Sequence, residues 1–204
     1  MTEFERLQNG LLHDFTNSKE MDELKALAQR LLAKFNDYST PSETRTEILK
    51  ELFGEVEGWC LINPPFRCDY GKFIHIGEGS FLNFDCIILD GCKVTIGRNV
   101  YIGPRTILTT ASHPIYAPVR IEHFGIQKPI TIKDNVWIGA GCIILPGASI
   151  GENSVIGAGS VVTGAREIPS NSIAFGNPCK FIRKIDDKDK EYWEKQKKNY
   201  FEEV

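Results

Sequence analysis

The sequence predicts a mainly β protein built around a parallel β-helix. Between residues 132 and 163 an aliphatic side chain returns at every sixth position, at Ile132, Ile138, Ile144, Ile150, Ile156 and Val162. Small or modest residues stand four positions after the first five, at Val136, Cys142, Ala148, Ser154 and Ser160. Neither a helix nor an alternating strand has a period of six, whereas each unit of a solenoid forms one short face and a corner. An ordinary sandwich would need irregular strand and turn lengths.

The six-residue period also occurs earlier in the chain and survives one interruption. It runs through Ile76, Leu82, Ile88 and Val94, then continues two positions out of phase through Ile96, Ile102 and Leu108. Residues 109–131 break the pattern with His113, Pro114, Pro118 and Pro129. We therefore expect a protruding loop there, and loops on a rigid scaffold are where function concentrates.

Helices are predicted at both ends of the chain. Residues 1–57 form an N-terminal helical cap, because Met21, Leu24, Leu27, Leu31, Leu32 and Phe35 recur at helical spacing. Thr44 and Glu47 predict a capping box for a second helix. The β-helix with its loop occupies residues 58–185. The charged segment 186–204 predicts a C-terminal helix, and we expect its aromatic residues to pack on the cap or on a neighbouring subunit.

Composition excludes several classes of partner. The chain has 204 residues and a formal net charge of −3, so no broad attraction to nucleic acid or to an anionic membrane is expected. No apolar run approaches the roughly 20 residues of a membrane span. The first residues lack the pattern of a signal peptide, so a cytoplasmic location is expected. The six cysteines include no Cys-x-x-Cys pair, which favours reduced, inert thiols over a nucleophile.

Several motifs together carry a family resemblance. They are Pro65-Phe-Arg-Cys-Asp-Tyr-Gly71, Ile74-His-Ile-Gly77, Asn83-Phe-Asp-Cys with Leu89-Asp90, Val94-Thr-Ile-Gly97, His113-Pro114, Val136-Trp-Ile-Gly139 and Gly176-Asn-Pro-Cys-Lys-Phe-Ile-Arg183. Over nearly its full length the chain resembles the maltose/galactoside O-acetyltransferases, the sugar branch of the hexapeptide-repeat acyltransferases. The resemblance implies a left-handed coil and a homotrimer with active sites between subunits. It also implies acetyl-CoA as donor, a sugar as acceptor and no metal.

The resemblance also assigns catalytic and acceptor-binding residues. An alcohol that attacks a thioester needs a base for its proton, and His titrates near neutral pH. His113 matches the catalytic base of the family, and Asn83 matches the amide beside it, which also contacts the acceptor. Asp14 and Asp69 match positions of acceptor contact, although either could be a simple cap or turn residue. The sugar-contacting carboxylate of the galactoside enzymes aligns with Gly91 here.

A second set of residues is expected to bind the donor. The family pattern implies that Trp137 packs along the CoA and that the Ala140 N–H lies by the thioester as an oxyanion donor. The groove would continue to the phosphates through Ala158, Thr163, Lys180 and Arg183. An ordinary solvated face is the alternative for the two basic residues. Two departures from the family pattern concern Arg166, which stands beyond the usual Lys position, and Phe81, where a Tyr is common.

Other histidine roles and other functions stay open from sequence. His75 lies inside a repeat, which favours a structural role, and His13 and His123 either line the site or are exposed. A non-sugar or amino acceptor would fit the same fold. A zinc hydratase would need three converging histidines, and a purely structural trimer would need none of this chemistry.

Overall fold

A computed structural model describes residues 1–202 of the chain. The helices are α1 (Glu3–Gln8), α2 (Lys19–Phe35), α3 (Ser42–Leu52), α4 (Ala117–Arg120) and α5 (Asp187–Glu202). The first strands are β1 (His13–Asp14), β2 (Glu55–Val56), β3 (Leu61–Ile62), β4 (Phe66–Cys68), β5 (Ile74–Ile76), β6 (Phe81–Leu82), β7 (Cys86–Leu89), β8 (Val94–Ile96), β9 (Tyr101–Ile102) and β10 (Ile107–Thr109). The remaining strands are β11 (Ala111–Ser112), β12 (Phe124–Gln127), β13 (Ile130–Ile132), β14 (Trp137–Ile138), β15 (Ile143–Ile144), β16 (Ser149–Ile150), β17 (Val155–Ile156), β18 (Val161–Val162), β19 (Ser172–Phe175) and β20 (Lys180–Lys184).

The strands of the coil form three parallel sheets, which we call faces 1, 2 and 3. Face 1 contains β2, β5, β8, β13 and β16; face 2 contains β3, β6, β9, β14, β17 and β19; face 3 contains β4, β7, β10, β15 and β18. Successive strands along the chain fall on faces 1, 2 and 3 in turn, and each pairs with its equivalent one coil away. The predicted parallel β-helix is therefore confirmed.

The core is the column of inward side chains that the repeat predicted. Ile132, Ile138, Ile144, Ile150 and Ile156 are all 0 % exposed. The small positions are buried with them, and Ser80, Ser154 and Ser160 direct their hydroxyls to backbone carbonyls. Each corner therefore stays closely packed without leaving a polar group unpaired.

The shift of two positions near Ile96 has a simple structural cause. Strand β8 carries two inward residues, Val94 and Ile96, as β13 does on the same face, whereas each of strands β14 to β18 carries one. The early coils are accordingly longer: Ile76 pairs with Ile96, 20 residues away, whereas Ile138 pairs with Ile156, 18 residues away.

One corner of the coil is held by a ladder of asparagines. Asn99, Asn135, Asn153 and Asn171 all have a positive φ, between 54° and 59°. Their side-chain amides hydrogen-bond to one another in sequence, over 3.2, 2.9 and 3.0 Å. Asn tolerates this backbone region better than most residues, and the stacked amides satisfy each other at the turn.

The N-terminal helices close one end of the coil. Phe35 of α2 contacts Phe66 of β4 edge-to-face, and Phe53 does the same from the end of α3. The Asn36 side chain donates to the Phe66 carbonyl and accepts from its N–H, each at 2.8 Å. The capping box predicted at Thr44 is wrong, because α3 begins at Ser42 and Thr44 lies inside it. A capping box does occur at Thr2 and Glu5 of α1.

The loop after β10 folds back as a small sheet of its own. Strands β11 and β12 pair antiparallel, and β1 from the cap adds to the other edge of β12. Its tip is apolar and exposed, with Ile115 at 97 % and Ile121 at 72 %. The C-terminal helix forms as predicted, but its aromatic residues are exposed and do not pack on the cap. Among residues 1–202 we find no helix with the length and apolarity that a membrane crossing requires.

The core predicts a stability test with a control on the same strand. Replacing Ile144 by Ala should lower the free energy of unfolding by about 2–5 kcal/mol, because the buried side chain leaves a cavity. Ile143, which is 37 % exposed, should cost under about 1 kcal/mol when changed to Ala. Urea unfolding of both variants measures the difference. Equal losses would contradict the inward assignment of Ile144.

Candidate active site

His113 stands at the base of the loop with one ring nitrogen engaged and the other free. Its Nδ1 lies 3.2 Å from the Phe124 carbonyl oxygen. Because a carbonyl can only accept, Nδ1 carries the proton and Nε2 keeps its lone pair. The Phe15 ring contacts the imidazole edge-on at a centroid distance of 5.5 Å. The exposed imidazole is therefore held in one tautomer and one orientation.

A cleft of about 240 Å³ opens beside this imidazole. The side chains that line it come from the cap, from the coil and from the loop, and they include Phe15, Asp69, Tyr70, His113 and Gln127. His13, also in the cleft wall, is 1 % exposed, and its Nδ1 donates to the Leu11 carbonyl over 3.0 Å. The cap thus folds over the coil as the acceptor assignments require.

Asp90 fixes the segment that carries Asp69 into the cleft. Its carboxyl is 0 % exposed and accepts N–H groups from Asp69 (3.0 Å), Tyr70 (2.9 Å) and Phe73 (3.3 Å). Burial raises the pKa of Asp90 to about 7, against the lowering effect of these hydrogen bonds. Burial also raises the pKa of Asp69, with Lys25 acting in the opposite direction. Asp90 is therefore a buried support and does not touch the cleft.

Asp14 is not brought into this cleft by the single chain. It lies on β1 between His13 and Phe15, and neighbouring residues of a strand face opposite sides. Its carboxylate accepts from the Thr16 hydroxyl at 2.7 Å and from the Thr16 N–H at 2.8 Å. The bond from the Thr16 side chain lowers the pKa of Asp14. In one chain this residue behaves as a turn carboxylate.

A second groove, of about 450 Å³, runs along face 2. Asn83, Trp137, Ala140 and Ala158 line it, together with Tyr101 and Pro104. Trp137 is 56 % exposed and presents an apolar ring to the groove. Within residues 1–202 the N–H groups of Ala140 and Ala158 donate to no backbone carbonyl. The groove therefore offers an aromatic surface beside free backbone donors.

The predicted phosphate-binding residues divide at the far end of the coil. Thr163 and Lys180 line a wide depression of about 720 Å³ together with Arg166. Arg183 does not line it, because its guanidinium forms a salt bridge with Asp189 at the start of α5. That pairing raises the pKa of Arg183 and lowers the pKa of Asp189.

His113, the predicted base, and Asn83, the amide predicted to lie beside it, are on different edges of the coil. Asn83 follows β6 at the corner between faces 2 and 3, whereas His113 belongs to the loop between faces 3 and 1. They consequently line two separate clefts of the same chain. Sequence reasoning missed Phe15, Tyr70 and Gln127, because only the fold of cap and loop over the coil brings these residues to His113.

Neither the histidines nor the cysteines suggest metal or thiol chemistry. In the part of the chain that the structure describes, no three His, Cys, Asp or Glu residues lie close enough to hold a metal ion, so the hydratase alternative gains no support. His75 pairs with Glu55 at 3.0 Å on face 1. The six cysteines are free thiols, and burial raises the pKa of Cys60 and Cys86 to about 11.

Comparison with known proteins identifies the family. Residues 6–58 match the maltose acetyltransferase hexapeptide capping motif, and residues 129–164 match the bacterial transferase hexapeptide of six repeats. The galactoside O-acetyltransferase of Escherichia coli K12 is 43 % identical over 197 residues, which cover 95 % of each chain. The galactoside O-acetyltransferase of Lactococcus lactis is 41 % identical over 90 % of this chain and 89 % of its own.

Solved structures agree with these matches. A maltose O-acetyltransferase from Clostridium difficile 630 superposes with a TM-score of 0.87 at 44 % identity, covering 91 % of this chain and 98 % of its own. A galactoside acetyltransferase in complex with coenzyme A gives 0.85 at 40 % identity, covering 93 % and 94 %. The fold and site thus define a hexapeptide-repeat acyltransferase. The chain belongs to the maltose/galactoside O-acetyltransferase family and is an acetyl-transferring enzyme. The left-handed sense of the coil stays a prediction.

The buried Asp90 predicts how stability depends on pH. Because the pKa of Asp90 in the fold, about 7, lies above its usual value, its contribution to stability is complete below about pH 4 and is lost as the pH rises through about 7. Asp90→Asn cannot ionise, so it lacks this pH dependence. Its free energy of unfolding should be below that of the wild type at about pH 5 and should approach the wild-type value at about pH 8. Thermal unfolding at both values measures this. A deficit that is the same at both would contradict the raised pKa.

Proposed function

We propose that the protein transfers an acetyl group from acetyl-CoA to a hydroxyl of a sugar of the maltose, glucose or galactoside type. The observation that carries the proposal is the single-tautomer His113 beside a cleft that also contains Asp69 and Gln127. A neutral imidazole with a free Nε2 is the form that a general base must have. The relatives that cover nearly the whole chain are named for maltose and galactoside acetylation, which supports a sugar acceptor.

The reaction proceeds by direct attack in a ternary complex. Nε2 of His113 takes the proton as the sugar oxygen forms a bond to the thioester carbonyl carbon. The Ala140 N–H stabilises the negative oxygen of the tetrahedral intermediate, and Asn83 holds the acceptor or the transition state. When the carbon–sulfur bond breaks, the CoA sulfur leaves as a thiolate and recovers the proton from the imidazolium. No acyl-enzyme forms.

The donor occupies the groove on face 2. Its pantetheine arm packs on Trp137 and passes Ala158, and Thr163 and Lys180 lie further along the coil toward the phosphates. Arg183 reaches a phosphate only by leaving Asp189. Two structural relatives hold coenzyme A or acetyl-CoA, which supports this donor. Six free thiols fit a reducing, cytoplasmic compartment.

The working unit is a homotrimer with each active site between two copies. Asn83 and the donor groove lie on one edge of the coil, and His113 and the acceptor cleft on another. A neighbouring copy brings the missing edge, and closed cyclic symmetry repeats the contact for three copies. The exposed apolar tip of the loop, with Ile115 and Ile121, supports burial against that neighbour. Asp14, which lies outside the cleft of the single chain, reaches an acceptor only in this assembled site.

Replacing His113 should separate catalysis from binding. His113→Ala should lower kcat by about 10²–10⁴-fold, because the general base is lost, while the KM for acetyl-CoA changes little. His75→Ala, on face 1, is the matched control and should keep kcat. CoA release across glucosides, galactosides, maltose and amines measures both variants and the acceptor class. Near-wild-type turnover of His113→Ala would exclude the base role, and activity confined to amines would exclude a sugar hydroxyl.

Mixed trimers test whether two copies build one site. His113→Ala and Asn83→Ala should each be inactive alone and should elute at three times the 23.0 kDa of one chain. Coexpressed and purified through two different tags, they should recover about a third of wild-type activity, because one of the three sites in each mixed trimer then receives both native residues. Recovery of none, with trimers present, would place both residues in one copy's site.

A further inference from the structure

Gln127 points into the acceptor cleft from the loop sheet. It ends β12, whose alternate residues Gly125 and Gln127 are buried toward the cap and coil. The side chain is 8 % exposed and lies in the wall that also contains His113 and Asp69. A buried carboxamide in a polar cleft is costly unless its donors and acceptor have partners.

Gly91 provides the space that this carboxamide occupies. A Cβ atom built on Gly91 would lie 2.5 Å from Oε1 and 2.6 Å from Nε2 of Gln127, closer than real contacts allow. The φ of Gly91 lies outside the left-handed region, so the glycine is required by space and not by backbone conformation. The side chain of Gln127 therefore rests flat against the backbone at Gly91.

Thr110 fixes which end of the amide faces the cleft. The Thr110 hydroxyl lies 2.9 Å from Oε1 of Gln127 and accepts the Cys92 N–H at 3.2 Å. Oε1 can only accept, so this 2.9 Å contact is a hydrogen bond only if the hydroxyl donates to it, while the Leu89 carbonyl, also 2.9 Å from the hydroxyl, has the Thr110 N–H at 3.0 Å as its donor. The hydroxyl proton accordingly goes to Oε1, which leaves Nε2 on the opposite side of the amide.

Nε2 of Gln127 is available to a ligand. Across residues 1–202 it donates to no protein group. Every buried side-chain nitrogen or oxygen in that range has a partner, so Nε2 is not one of the buried atoms. Nε2 must therefore reach the open space of the cleft. It is an oriented donor on the same wall as the catalytic imidazole.

We infer that Gln127 is a specificity-determining residue that donates from Nε2 to a second hydroxyl of the acceptor, with Gly91 as the space that makes this possible. The inference rests on the proposed function. His113 takes the proton of the attacking hydroxyl, and a donor on that oxygen would draw on the lone pairs that attack the thioester. The oxygen bound by Gln127 therefore belongs to another hydroxyl of the same molecule. The acceptor class is thus a neutral polyhydroxyl compound and not a simple alcohol.

Two substitutions at Gln127 and one control test the contact. Gln127→Leu removes the donor, and Gln127→Glu keeps the oxygen that Thr110 binds but replaces the NH₂ by an acceptor. Both should raise the acceptor KM by about 3- to 10-fold, the effect of one lost neutral hydrogen bond, with the KM for acetyl-CoA unchanged. Gln29→Leu on the exposed side of α2 is the matched control. A lower acceptor KM for Gln127→Glu would overturn the donor assignment.

Monodeoxy acceptors identify the partner hydroxyl. The probes are methyl glucoside and methyl galactoside and their monodeoxy forms. Removing one particular hydroxyl should raise the acceptor KM of the wild type by the same 3- to 10-fold factor and should leave the acceptor KM of Gln127→Leu unchanged. Gly91→Ala should displace the carboxamide and raise the acceptor KM in the wild type, but not in Gln127→Ser, whose side chain is shorter.

The outcomes separate this inference from the proposed function. If wild type and Gln127→Leu show the same KM for every active sugar, the inference is overturned while the acetyltransferase assignment stands. If the wild type releases no CoA with any sugar, the proposed function fails and the inference fails with it. If Gln127→Leu does not fold, the Gln127→Glu and Gly91→Ala results decide.

Discussion

The in-register stacking of inward aliphatic side chains is the constraint on which the rest of the structure depends. Each coil pairs its backbone with the coils above and below, so an inward residue such as Ile138 meets Ile102 and Ile156 directly. A shift of one residue would turn the whole apolar column toward solvent. The coil is therefore stiff, and it can hold groups at separate edges in fixed positions. That stiffness suits the proposed mechanism, in which the donor groove and the base, His113, lie on different edges.

Interruptions of the repeat carry the chemistry because the repeat itself has no freedom to vary. The loop between β10 and β13 leaves the coil and returns in register, so its insertion costs the core nothing. The return strand β12 pairs with β1 of the cap, and this one contact brings Phe15 against His113. The cap is thus part of the acceptor cleft as well as a cover for the end of the hydrophobic column.

The sequence was sufficient for the coil and for the residues on its faces, but not for the acceptor cleft. The family resemblance singled out Trp137, Ala140 and Ala158, and their places in a regular repeat fix where they lie, so the groove that they share could be foreseen. Phe15 and Gln127 lie 98 and 14 residues from His113, and no period links them. The antiparallel pairing of β1 with β12 sets the position of Phe15, and the pairing of β12 with β11 sets that of Gln127. Asp14 and Arg183 illustrate the limit: the family motif assigns them, yet local partners, Thr16 and Asp189, hold their charged groups in this chain.

The two proposed substrate sites differ in what fixes the side chains that line them. The proposed donor groove is lined by residues of the coil itself, whose positions the stacking fixes. The acceptor cleft is lined by side chains from three segments, and an exchange at one contact changes what it recognises. At Gly91 the absence of a Cβ admits the Gln127 amide, whereas a carboxylate at that position would offer an acceptor in place of a donor. Because Gly91 has no side chain, the loop can supply the polar group at this point through Gln127. Under the proposed function, selectivity for the acceptor follows from whether the coil or the loop provides that group.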